Sequence, residues 1–196
     1  MSKADLKEKT AALRRQHILE AAIPVFERHG YRGATIKNIA EQAGVSDGTI
    51  YNVFEDKEAI LFAVLDVLLR GNSNQEPDLA GGLEQMIKAR WAELTPQTLS
   101  MVRIIWSEAL TNRTLAKRYL ASVTLPAING LKSFSDADSP QQALQQRAAL
   151  ALFMGFTLLQ LLGDPVVEQG FQDIPQLISK LLTKGLPLYA TKGGHQ

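Results

Sequence analysis

The chain has 196 residues, with 21 Lys and Arg against 20 Asp and Glu, 45% hydrophobic residues and no cysteine. That length holds one domain or two small ones with a real apolar core. The missing cysteine excludes disulfides and thiol catalysis, and a net charge of +1 gives no bulk signal for nucleic acid.

The spacing of Leu13, Ile18, Ala21, Ala22, Val25 and Phe26 predicts a first helix over about 7–29. Pro24 is expected to kink it or admit a local water without necessarily ending it, and Gly30 to close it as a left-handed cap. Up to position 40, eight cationic residues stand against four acidic ones, which suits salt-sensitive phosphate contact or a solvated helix face. His17 and His29 read as helix-surface or cap residues.

Thr35 is placed to cap a second helix carrying Ile36, Ile39, Ala40 and Ala43. Gly44 supplies a positive φ for a sharp turn, and Val45 plugs the small core beneath it. Ser46 or Asp47 caps a third helix that ends near Phe54, with Ile50 and Phe54 inward. Asp47, Gly48, Thr49, Tyr51 and Asn52 are left on the outside. Asp56 caps a fourth helix from Lys57 through Leu68. A short helix, a Gly-Val-Ser turn and a short helix rich in small polar groups form a helix-turn-helix, which places one helix in the major groove of DNA.

After the linker around 70–77, helices are expected over about 78–94, 97–111, 113–134, 140–163 and 173–190. Ser139-Pro140 is a start signal, Gly163-Asp164-Pro165 a stop, and Asp173 a cap for the last helix. No strand-like alternation interrupts them, so the expected fold is all-α: an N-terminal helix-turn-helix domain over 1–56, a linking helix over 57–74, and a larger helical domain over 75–196. The stretch AALALFMGFTLLQLL (148–162) is apolar nearly all round and must be covered on several sides. Its partner is the last helix, with Leu177, Ile178, Leu181, Leu182 and Leu186. Helices 140–163 and 173–190 from two copies would form a four-helix bundle, making a homodimer.

Phe26, Gly30-Tyr31, Thr35-Ile36, Ile39-Ala40, Ala43-Gly44-Val45-Ser46, Gly48-Thr49-Ile50-Tyr51, Phe54 and Lys57-Glu58 together resemble the N-terminal domain of the TetR family of bacterial transcription repressors. The resemblance covers about the first third of the chain. It implies that Thr35 touches phosphate and that Gly48 lets backbone approach the DNA. It implies that Thr49, Tyr51 and Asn52 share base and phosphate contacts beside Ser46 and Asp47, and that Lys57 reaches phosphate with its N–H and ammonium. Phosphate contacts set register and base-edge contacts set sequence choice. Val53 departs from the family, which often has histidine or an aromatic residue there. Asp47 is acidic where the family often touches bases; it either accepts from cytosine N4 or caps the helix, the cap being favoured.

The resemblance also implies a homodimer on a double-stranded, palindromic DNA operator, released by a small apolar or amphipathic effector in the second domain. Met86, Trp91, Met101, Trp106, Phe153 and Phe156 are candidate lining residues, with Arg103, Glu108, Arg113 and Gln160 as candidate polar anchors. Apolar residues at helical spacing are more often plain core.

The competing readings are two. The first is an enzyme, for which no P-loop, GxSxG, HExxH or clustered histidine is present. The second is a helical ligand-binding or scaffold protein with a weakened DNA head. No catalytic residue, metal site or cofactor is expected. The N-terminus lacks an apolar signal core, and the longest apolar run falls short of the ~20 residues of a span. The expectation is a cytoplasmic protein with no membrane partner.

Overall fold

The computed structural model describes residues 2–70, 82–127 and 140–184. The described residues are helical with no strand, as the all-α pattern requires. They fall in two compact units, one of residues 1–74 and 93–125, the other of residues 75–92 and 126–196.

The first unit begins with α1 (Lys3–Gly33). It starts earlier than the apolar spacing indicated and runs through Pro24, which does not end it. The interruption is at Gly30, whose φ of 63° and ψ of −177° lie in a region essentially closed to residues with a Cβ. The Gly30 carbonyl accepts from Ala34 N–H at 3.2 Å, and Ala34 is fully buried. Then come α2 (Ile36–Ala43), α3 (Asp47–Tyr51) and α4 (Lys57–Arg70). Ile18, Ala22, Phe26, Ile39, Ile50, Ile60, Leu61 and Leu65 are fully buried and form the core of this three-dimensional wedge.

The same unit contains α6 (Pro96–Ala109) and α7 (Arg113–Tyr119), capped by Thr95 and Asn112. Both lie in the stretch that sequence assigned to the second domain, yet α6 packs on α1 and α4, with Met101 and Ile105 fully buried. The stretch expected as one helix over 113–134 changes pitch: Leu120–Thr124 is a π-helical turn, and residues 128–134 lie outside the described ones.

The second unit holds α5 (Gly82–Ala92), α8 (Pro140–Leu161), α9 (Pro165–Gln169) and α10 (Ile174–Lys184). α5 and α8 pack on α10, and α9 on α8. The Gly163-Asp164-Pro165 stop is also a start: Asp164 Oδ1 accepts from Val166 and Val167 N–H at 3.0 Å each and Pro165 occupies the first turn of α9. The last helix follows Asp173, whose carbonyl accepts from Leu177 N–H at 3.0 Å. No described helix is long and apolar enough to cross a membrane. Residues 78–81 and 185–190, expected as helix, and His195 lie outside the described residues.

Candidate nucleic-acid interface

Each end of α2 is set by local chemistry. Thr35 is extended and its hydroxyl oxygen accepts from Asn38 N–H at 3.1 Å, while Asn38 Oδ1 accepts from Thr35 N–H at 3.2 Å. This reciprocal box satisfies two otherwise free donors. Its Asn38 half was missed in the sequence because glutamate or glutamine is the usual signal. At the other end Gly44 is left-handed (φ 64°, ψ 32°), and its N–H and that of Val45 close on Glu41 and Ala40 carbonyls. His17 Nε2 lies 2.8 Å from the Ala43 carbonyl, tying α1 to this turn.

Ser46 caps α3: its hydroxyl accepts from Thr49 N–H at 3.2 Å and meets Thr49 Oγ1 at 3.0 Å. The favoured expectation that Asp47 caps this helix is corrected. Asp47 is the first helical residue, exposed, with its carboxylate in the first turn, where the helix dipole favours it. The helix is also shorter than expected and ends at Tyr51, with Asn52 as C-cap. Ile50 and Phe54 are buried as the spacing required. Ser46, Asp47, Gly48, Tyr51 and Asn52 are exposed and Thr49 is half-buried, so α3 presents one polar, open face. Tyr51 is 58% exposed, which excludes a core role for its ring in this structure. Val53 is half-buried.

The Lys57 ammonium, expected to reach phosphate together with the backbone N–H, is engaged within the protein. Its Nζ donates to the Tyr31 carbonyl at 2.6 Å and the Ala34 carbonyl at 2.7 Å and sits 4.4 Å over the Tyr31 ring. It therefore closes the carbonyl end of α1. Burial holds its pKa below 10.5, with the Glu108 charge acting the other way. Asp56 caps α4 by accepting from Ala59 N–H. Around this corner, Arg118 on α7 lies 3.4 Å from Glu58 and 3.6 Å from Asp56, and Arg32 lies 2.8 Å from Glu108 and donates to Thr111 Oγ1 at 3.0 Å. No sequence signal pointed to these pairs, because the partners are 60 or more positions apart.

The eight effector candidates do not form one cluster within either unit. Met101, Arg103 and Trp106 belong to the first, Met86, Trp91, Phe153, Phe156 and Gln160 to the second. Trp91 is 3% exposed, donates its indole N–H to the Phe171 carbonyl at 2.8 Å, and packs edge-on against Phe153 and tilted against Phe171. It is core. Met101 is core as well, fully buried, and Arg103 is exposed. Trp106 Nε1 and Gln160 Oε1 are buried with no hydrogen-bond partner of good geometry. Among the described residues no group of three His, Cys, Asp or Glu side chains could hold a metal ion.

A capped helix, a glycine turn and a short exposed helix on a buried wedge define a protein of the helix-turn-helix class. The sequence model of the bacterial regulatory proteins of the tetR family matches residues 18–64, which is this wedge from the buried part of α1 into α4. These residues place the helix-turn-helix domain of the chain with the tetR family of bacterial regulatory proteins. It is 45% identical over 53 residues to the HTH-type transcriptional repressor AcnR of Corynebacterium diphtheriae, over 27% of this chain and 28% of that protein. It is 40% identical over 83 residues to the HTH-type transcriptional regulator HbdR of Aromatoleum sp., over 40% of this chain and 36% of that protein. These matches thus span about a third of the curated relatives' length. The fold extends further: a transcriptional regulator from Rhodococcus sp. superposes with a TM-score of 0.66 over 87% of this chain and 96% of that one, at 19% identity.

Proposed function

We propose that this protein is a DNA-binding transcriptional repressor that reads a palindromic operator as a homodimer and is released by a small apolar or amphipathic effector. The observation that carries the DNA-binding half is the Ser46-capped α3. Ile50 and Phe54 bury one side of it and the turn after it, while Gly48, Tyr51 and Asn52 stand free on the other. Thr49, Tyr51 and Asn52 read base edges and phosphates, Gly48 lets the backbone approach closely, and Thr35, Ser46 and Asp47 flank them. At Lys57 the phosphate contact falls to the backbone N–H, because the ammonium is held by α1. Repression, rather than activation, follows the sense of the relative AcnR, a repressor by name.

The dimer is supported by apolar surface in the second unit. Leu158, Leu159, Leu162, Val166 and Leu177 are exposed, Leu162 by 73% and Val166 by 77%. An apolar surface of that extent is covered in a stable soluble assembly. Effector response is supported by Gln160 Oε1 in the second unit. A buried polar atom without a partner costs about 1–3 kcal/mol, and a ligand group recovers that cost. A ligand that favours the state unable to bind DNA must bind that state more tightly.

The test is binding of the purified protein to the DNA upstream of its own gene across a salt series. Tyr51→Ala and Asn52→Ala should each weaken selective binding, by about 1–3 kcal/mol for a base-edge contact, with fold and oligomeric state unchanged. Weak binding by the parent protein, equal on all duplexes, would point instead to a helical binding protein whose DNA head is vestigial; selective binding unaltered in both variants would move the base contacts off Tyr51 and Asn52.

A further inference from the structure

Residues 5–16 of α1 are exposed on every side of the helix, although they run without a break into the buried segment that begins at Ile18. A helix of that length with no core face is marginal by itself. Where it leaves the folded unit is well defined. His17 Nε2 sits 2.8 Å from the Ala43 carbonyl, at the turn that leads into α3. The Arg15 guanidinium lies 4.4 Å over the Phe54 ring, just past the end of α3. The extension therefore starts between the two ends of the candidate recognition helix. From Arg14 back to Asp5 it reaches about 13–14 Å further at ~1.5 Å per residue.

At about 100° per residue, Lys7 and Arg14 fall within roughly 20° of one another and about 100° or more from Glu8 and Asp5, while Lys9 and Arg15 fall beside those carboxylates. Among the described residues, neither Lys7 nor Arg14 is paired with a carboxylate. Three other basic side chains of the same unit are engaged within it: Arg15 on Phe54, Lys57 on α1 carbonyls and Arg32 on Glu108.

We propose that residues 5–16 are a second DNA contact, an arm that lays Lys7 and Arg14 on the phosphates of the duplex flanking the bases read by α3. This rests on the DNA-binding reading above. The occupant is the sugar-phosphate backbone, because Lys7 and Arg14 are exposed beside a polar reading face and, among the described residues, have no carboxylate partner. Phosphate contact of this kind adds affinity and register without adding sequence preference.

The experiment uses a duplex that the full chain selects from a random-sequence pool, in two lengths: with flanks of one helical turn, and trimmed to the selected bases. The double variant K7Q/R14Q should bind the flanked duplex more weakly. Its slope of log K against log salt should be shallower by about 0.9 per lost contact, near two per DNA head. On the trimmed duplex, parent and variant should converge, and base preferences should be the same throughout. Equal affinity and equal slope on the flanked duplex would overturn the arm while leaving the regulator reading intact. If the exposed Leu6 and Leu13 serve another copy of the chain instead, L6Q/L13Q will lower the oligomeric state and K7Q/R14Q will not alter the salt slope; that too overturns it. A parent protein that binds no duplex at any salt would remove the regulator reading and the arm together.

Discussion

The Lys57 ammonium lies 2.6 Å from the Tyr31 carbonyl, 26 positions earlier in the chain, and 4.4 Å above the same residue's ring. The start of α4 is thereby bolted to the end of α1. Lys57→Met should cost about 1–2 kcal/mol, since two carbonyls lose a charged donor. The effect on DNA should be small, because the backbone N–H is retained. Chemical denaturation beside a binding titration checks both. The sign of the pH dependence is fixed as well. A lysine whose pKa is lowered by folding binds its proton less tightly in the native state, so stability rises as pH climbs from the folded value toward 10.5. That rise should be absent from the Met variant.

Ser46 rather than Asp47 holds the first turn of α3. Ser46→Ala should destabilise the protein by about 1 kcal/mol, and Asp47→Ala by less. Ser46→Asp separates capping from DNA contact. It keeps an oxygen for Thr49 N–H and the stability, but places a carboxylate toward phosphate and should lower DNA affinity. Equal stability loss in Ser46→Ala and Asp47→Ala would mean the cap is shared.

Trp91 was a candidate ligand contact and is a core residue of the second unit. Trp91→Ala should cost about 3–5 kcal/mol through the cavity left against Phe153 and Phe171. Trp91→Phe should cost about 1 kcal/mol, the hydrogen bond to the Phe171 carbonyl. Thermal denaturation of the two variants reads the ratio; a mild Ala variant would return Trp91 to the surface of a ligand cavity.

Two phenols should make the fold alkali-sensitive. Burial raises the Tyr119 pKa above 10.0, only partly offset by the neighbouring Trp106 N–H. Tyr31 is raised by burial and by the charges of Glu58, Asp56 and Glu108. Each holds its proton more tightly when folded. The stability this contributes is present below pH 10 and lost as pH rises through the folded values. Urea midpoints measured from pH 9 to 12 should therefore fall, and fall less steeply in Tyr119→Phe. A slope unchanged in that variant would assign the alkaline loss to Tyr31.

What was legible in the sequence has a common physical character. The Thr35 cap, the left-handed Gly44, the inward Ile50 and Phe54 and the Asp56 cap all depend on hydrogen bonds or periodicity within a few positions. Local chemistry of that range repeats wherever the pattern repeats, and it outlined α2, α3 and the start of α4 together with the exposed face of α3. The Asp47 expectation failed at the same short range, because serine and aspartate are comparable caps and neighbouring positions compete. The second half was harder to read: its apolar residues show helices, but not which helix each faces.

The sequence by itself therefore determined the helical class and the helix-turn-helix, since caps, glycine turns and apolar periods are settled within one or two helical turns. Only the tertiary structure decided that α6 and α7 join the DNA head, that Arg118 faces Glu58 across 60 positions, that Lys57 turns inward, and that Trp91 is held by Phe171 across 80. Those pairings are chosen by which distant surfaces pack and which buried polar atoms must find partners. That choice follows from the closed chain as a whole and leaves no period or spacing in its parts.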